Sequence, residues 1–155
     1  MTRRFAAVSA YAGRVNLPVR KTGQSAGYDL EAAEPVCIEP GAVALVPTGL
    51  KVYMEPGEAL LVYVRSSLAV GRGLMLANGV GVIDADYADN PENEGHIMIA
   101  LYNFGPAPAQ IARGERIAQG IFTRFLTTAD DAAAGARVGG FGSTNHDGEP
   151  ARTPR

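Results

Sequence analysis

The chain has 155 residues, of which 46% are hydrophobic and 19% charged, and its formal net charge is −2. That balance describes one globular domain with a real core, and excludes a disordered chain or a global basic field that would recruit nucleic acid. Cys37 is the only cysteine, which excludes an internal disulfide framework and a cysteine-based zinc site, and no apolar run approaches the roughly 20 residues of a membrane span.

The N-terminus, MTRRFAAVSAYAG, starts basic, but its apolar stretch is short and broken by Ser9 and Tyr11. It reads as a first strand over 5–10 rather than a signal peptide, and the expectation is a cytoplasmic protein. Glycine (19) and proline (10) then punctuate short apolar segments at fairly regular spacing, the pattern of an all-β sandwich or barrel. The predicted strands continue over 36–38, 43–46, 50–54, 59–64, 74–76, 80–83, 97–102 and 117–122. "EPGAVALVPTG" and "EPGEALLVYV" each place a Pro-Gly turn before a β-rich run.

The segments 59–64 and 97–102 are apolar on both alternating faces. A strand with one wet face would alternate with polar residues, so an oligomer is expected to cover one side. Helix is scarce: 66–70 is the best candidate, and 130–136 reads as a linker. From 135 onward "GARVGGFGSTNHDGEPARTPR" offers little to pack, which predicts a flexible tail over 135–155 behind a β-domain over 1–134.

Familiar motifs fail one by one. "GQSAG" fits the pattern of a hydrolase nucleophile elbow but lacks the strand before and helix after it. The acidic loop 84–94 puts Ala88 and Asp89 where a calcium loop needs an oxygen ligand and a glycine. His96 and His146 lack metal-ligand spacing, and no phosphate-binding P-loop occurs.

Four polar clusters remain, each set in apolar or glycine-rich surroundings: "SAGYDL" with Asp29, "VRSSLAVGRGL" with Arg65, Ser66 and Ser67, "NGVGVIDADY" from Asn78 to Tyr87, and "ERIAQGIF" with Gln119. An Arg beside hydroxyls at a helix start suits an oxyanion or phosphate, although an N-cap serine beside a surface Arg is the plainer account of that segment. A Gln interrupting an apolar strand must find hydrogen-bond partners.

Together with the tail's "RVGGFGST", these clusters resemble, in order and spacing, the motif set of the homotrimeric dUTPases. The resemblance runs from about residue 22 to 144. It implies an all-β, distorted jelly-roll barrel with one short helix and a flexible C-terminal lid. It also implies a homotrimer with shared active sites, hydrolysis of dUTP to dUMP and diphosphate, and Mg2+ carried on the triphosphate.

By position, Asp84 matches the carboxylate that activates water, and Gln119 a residue that helps hold it. Asn78, Val82 and Ile83 match a uracil-reading hairpin, with Met98 on its returning strand as a further contact. Tyr87 matches the ring against the deoxyribose. Arg65, Ser66 and Ser67 match the phosphate-binding segment, and Asp29 the acid that orients metal-bound water. In the lid, Phe141 would stack on the base, while Arg137, Gly142, Ser143 and Thr144 would address the phosphates. No direct nucleic-acid binding and no membrane association are expected.

Two features depart from the resemblance. "ADNPENEG" after Tyr87 is longer than the turn of many members, and Asn145 stands where a glycine is common. A related dCTP deaminase branch shares the Arg-Ser-Ser element, but "IDADY" and the complete tail fit hydrolysis better. A dUTPase-fold module that uses nucleotide as a switch is the reading from a different class.

Overall fold

A computed structural model describes residues 3–137 and 139–140. The chain runs through β1 (Arg4–Ala7), a 3-10 turn (Ser9–Tyr11), β2 (Tyr28–Glu31), β3 (Val36–Ile38), β4 (Val43–Pro47), β5 (Leu50–Tyr53) and β6 (Glu58–Val64). It continues through the helix α1 (Ser66–Arg72), β7 (Leu74–Leu76), β8 (Gly81–Asp84), β9 (Met98–Asn103), β10 (Ala109–Ile111) and β11 (Arg116–Arg124). Every named pairing is antiparallel, in sheets ordered β2-β11-β6-β8, β4-β9-β7, β1-β5 and β10-β3. The all-β class is as expected, but the described strands pair as four open sheets rather than one closed barrel.

The core gathers Leu30, Val46, Leu60, Leu74, Leu101 and Ile117, all sealed from solvent, between the two larger sheets. Emptying one such leucine to alanine costs about 2–5 kcal/mol through lost transfer energy and a residual cavity. Buried polar groups are paired, as the interior requires. Asn103 donates to the carbonyls of Ile38 and Ala107 at 2.8 Å each and accepts the Gly105 amide at 2.9 Å. Thr48 donates its hydroxyl to the Ile97 carbonyl at 2.7 Å.

The outward face of the β4-β9-β7 sheet is apolar and partly open. In register, Val43 lies opposite Tyr102, Leu45 opposite Ala100, Pro47 opposite Met98 and Met75 opposite Tyr102. Val43 is 56%, Leu45 48% and Met75 40% exposed. In β9 the inward residues Ile99, Leu101 and Asn103 are buried, while the outward Met98, Ala100 and Tyr102 are only half-buried.

Candidate active site

β8 emerges beside β6, with Val82 opposite Leu61, Ile83 opposite Leu60 and Asp84 opposite Ala59. Asp84 is therefore the last residue of an apolar strand. β9 does not return along β8: it pairs with β4 on one side and β7 on the other. The expected base-reading hairpin thus has its two arms in different sheets. The physical cause is the connection over 85–97, long enough to carry the chain from one sheet to the next.

Between these sheets opens a cleft of about 320 Å³, whose lining includes Asn78, Val82, Ile83, Asp84, Tyr87 and Met98. Asn78 sits in the β7–β8 turn, where the Gly79 amide donates to Leu76 O and the Val80 amide to Asn78 O. Tyr87 is buried, its hydroxyl donating to the His96 carbonyl at 3.0 Å. Burial raises the Tyr87 phenol above its ordinary value, so the ring keeps its proton.

The tail contributes to the same cleft. Arg137 ion-pairs with Asp84 and, at 2.8 Å, with Asp86, and its guanidinium lies 5.6 Å from the centre of the Tyr87 ring. The hydrogen bond to Asp86, with the charges of both aspartates, holds the guanidinium's affinity for its proton above normal. The Gly140 amide donates to the Glu92 carboxylate. Phe141, Gly142, Ser143, Thr144 and Asn145 lie outside the described residues.

The other expected site residues gather in a second, separate cleft of about 420 Å³, lined by Asp29, Arg65, Ser66, Ser67 and Gln119 among others. Arg65 leaves β6 in an extended conformation and is itself the residue that caps α1, without a side-chain hydrogen bond. Ser66 and Ser67 are the first helical residues and are exposed, which removes the simple account of an N-cap serine. Asp29 is clamped by two arginines, Arg65 and Arg116, at 3.3 Å each. Gln119 stands between Tyr63 and Asp29 in the sheet.

Two contributors had no role from the sequence. Arg116 belongs to the second cleft's charge network through Asp29. Gly27 allows Gln119 to lie close: a β-carbon there would fall 3.0 Å from the Gln119 Cβ, 3.2 Å from its Cδ, and onto its Oε1. The motif "GQSAG" drew attention to Ser25, whose hydroxyl merely closes a turn with the Thr22 hydroxyl at 2.8 Å. Within that motif it is the glycine two positions beyond, just ahead of β2, that bears on the cleft.

Along β6, the positions facing Asp84 and Gln119 are Ala59 and Tyr63. The two residues are therefore offset by roughly 13 Å along the sheet and by two strand spacings, about 10 Å, across it. Their side chains stand roughly perpendicular to the sheet rather than toward each other.

The family model for dUTPase matches residues 14–145 of the chain. The deoxyuridine 5'-triphosphate nucleotidohydrolase of Lactococcus lactis subsp. lactis is 49% identical over 145 residues, covering 92% of this chain and 97% of that protein. The enzyme of the same name from Anaeromyxobacter sp. is 41% identical over 135 residues, covering 84% and 88%. The crystal structure of dUTPase from Streptococcus mutans superposes with a TM-score of 0.78 at 46% identity, covering 81% of this chain and 98% of that one. With its aspartate-ended strand, its Arg-Ser-Ser segment and these likenesses across most of its length, the chain belongs to the dUTPase family.

Proposed function

We infer that this protein hydrolyses dUTP to dUMP and diphosphate, in the cytoplasm, in a homotrimer whose sites are each shared between chains. The observation that carries the reading is the cleft between β8 and β9, which sets a carboxylate, Asp84, at the end of a strand whose residues line it. Water is a poor nucleophile, and a carboxylate within hydrogen-bond reach activates it as general base. Backbone groups of Val82 and Ile83 suit uracil's alternating donors and acceptors. Cytosine presents the wrong order, and thymine's methyl would not fit. Tyr87 against the deoxyribose leaves a 2'-hydroxyl neither room nor partner, and unpaired polar groups discriminate strongly.

Arg65, Ser66 and Ser67 are the phosphate-binding segment, with Gln119 steadying the attacked water. The distance between Gln119 and Asp84 within one chain exceeds what a single water spans, at about 3 Å per hydrogen bond. A second copy bringing its Asp84 cleft to the first copy's Arg65–Gln119 cleft resolves this. The apolar outer face around Val43, Leu45 and Met75 supplies a surface for such an assembly. Arg137 and the tail beyond it close on the nucleotide as a lid.

The described residues contain no group of three or more side chains that would cage a metal by themselves. They do fit a magnesium ion held mainly by the triphosphate, because Asp29, a hard oxygen donor, lines the phosphate cleft beside two serine hydroxyls. Magnesium bound there would neutralise phosphate charge. Asp29 would hold the ion through water, and Arg65 adds fixed positive charge on the protein side.

The test is diphosphate release from dUTP, UTP, dTTP and dCTP with magnesium. Turnover of dUTP alone is expected, and its absence overturns the reading. Asp84→Asn should lower kcat by about 10²–10⁴-fold, the worth of a general base. Asp86→Asn should cost far less. Equal losses would show that the two carboxylates act only as a paired seat for Arg137.

A further inference from the structure

The segment over 88–95 has no place in the chemistry above, yet it is closely tied to the fold. Asp89 pairs with Lys51 and accepts the Tyr53 hydroxyl at 2.7 Å. Glu94 accepts the Ser9 amide at 3.1 Å. Inside the loop the buried Asn90 donates to the Tyr87 carbonyl at 2.8 Å, and its Oδ1 accepts the amides of Glu92 and Asn93 at 3.1 Å each. Asp89 and Glu94 adopt left-handed backbone angles, φ 58° and 59°. Non-glycine residues rarely take up such angles without surrounding support.

All of this fixes one carboxamide. Asn93 Oδ1 accepts from Asn90 Nδ2 at 2.7 Å and from the Gly95 amide at 3.0 Å. With its oxygen doubly engaged, the amide nitrogen faces the other way and donates to the Tyr87 hydroxyl at 2.9 Å. The Tyr87 hydroxyl in turn donates to the His96 carbonyl. The phenol is thus held at its tip by one donor and one acceptor, both from the loop or its end. The same carboxamide also meets the tail, since a β-carbon on Gly140 would fall 2.8 Å from Asn93 Nδ2.

We propose that Asn93 is a positioning residue for sugar discrimination: through its hydrogen bond to Tyr87 it locks the ring that excludes a 2'-hydroxyl, and it packs against Gly140 of the tail beside that ring. The proposal rests on the dUTP-hydrolysing reading and on Tyr87 facing the deoxyribose. A ring free to tilt makes room for ribose, so the loss appears in selectivity. Asn93 itself touches no reacting atom.

The experiment measures kcat/KM for dUTP and for UTP in the unmodified protein, Asn93→Ala, Tyr87→Phe and the double variant, with thermal unfolding alongside. In the unmodified protein a strong preference for dUTP is expected, and its absence overturns the underlying reading rather than the role of Asn93. Asn93→Ala should lower the dUTP-to-UTP ratio by about tenfold, the size of a coupling between directly bonded groups. Tyr87→Phe deletes the same hydrogen bond from the ring side, together with the one to the His96 carbonyl, while leaving the bonds among Asn90, Asn93 and Gly95 in place, and should lower the ratio at least as much. In the double variant the ratio should fall no further than in Tyr87→Phe alone. An unchanged ratio in Asn93→Ala, or full additivity in the double variant, overturns the proposal. If Asn93→Ala does not fold, an unchanged ratio in Tyr87→Phe overturns it and a lowered one supports it.

Discussion

At the scale of single residues, the site depends as much on a missing side chain as on those present. Gln119 interrupts the apolar stretch 117–122 of β11, and its carboxamide occupies the space that a β-carbon on Gly27 would fill. Gly27→Ala adds one methyl group and no charge. It must push the Gln119 amide aside, because the β-carbon would overlap Oε1 and crowd Cβ at 3.0 Å and Cδ at 3.2 Å. Misplacing a catalytic contact by about 1 Å can cost 10²-fold in rate. We expect kcat for dUTP in Gly27→Ala to fall at least tenfold, with KM changed less. Steady-state kinetics beside a thermal melt would check it, and an unaltered kcat in a folded variant removes Gln119 from the mechanism. Asp84 and Gln119 were legible in the sequence because each is a polar residue where an apolar pattern leads one to expect otherwise. Gly27 was not, because a pattern of residue types records what a side chain offers and not the space that its absence leaves.

Among the elements, the same contrast separates what periodicity reveals from what pairing decides. The strands β3, β4, β5, β6, β7 and β9 read clearly from their apolar runs, to within a residue or two at their ends. β2 did not, because Tyr28–Glu31 alternates with charge and gains its strand character from β11 beside it. β10 is three residues long and shelters beside β3 behind a proline-rich approach. The connection over 85–97 hid its structure most completely, being held by asparagine and carboxylate hydrogen bonds rather than by an apolar period. Its end carries His96, half-buried, with Nε2 accepting the Gly49 amide at 2.8 Å and the ring 5.4 Å from that of Tyr11. Burial pushes this imidazole below its ordinary value, and the charges of Glu34 and Glu94 oppose the shift without reversing it. Because the folded value lies below the unfolded one of about 6.5, the stabilisation is complete above pH 6.5. It declines as the pH falls toward the folded value, since the unfolded chain takes up the proton first. Urea unfolding at pH 7.5, 6.5 and 5.5 should show this decline in the unmodified protein. His96→Gln, which keeps an acceptor for Gly49 but cannot titrate, should flatten it. An equal decline in both would assign the acid sensitivity elsewhere. A second loss, below about pH 4.5, should persist in the variant as Glu58, Asp89 and Glu94 are protonated. Their hydrogen bonds to Arg3, to Lys51 and Tyr53, and to Ser9, respectively, depress all three carboxyls.

For the whole molecule, the arrangement of the two clefts makes a quantitative claim about assembly. Asp84 flanks the start of β6 opposite Ala59, while Arg65 follows its far end, so β6 separates them by six residues, or roughly 20 Å. The sequence supplied both residues but not this separation, because strand order within a sheet is set by pairings between segments far apart in the chain. If a working site combines the Asp84 of one copy with the Arg65 of another, two inactive variants can rescue each other. Asp84→Asn chains still carry a sound Arg65, and Arg65→Ala chains a sound Asp84. Co-expressed in equal amounts with different tags and purified through both, they form mixed assemblies. Under random assembly before selection, each site draws its Asp84 and its Arg65 from independent copies. About a quarter of all sites then hold both functional residues, as the rotational symmetry of a closed oligomer requires. Turnover of dUTP near that fraction, from two variants each inactive alone, is the expected outcome, and selecting doubly tagged species should raise it. If one chain furnished the complete site, every site in every mixture would carry one lesion, and no activity would return at any ratio. Arg137→Ala added to only one of the two variants then asks whose tail closes the site: rescue survives when the unaltered chain at that site supplies the lid, is lost when the altered one does, and falls by about half when the third copy of a trimer does.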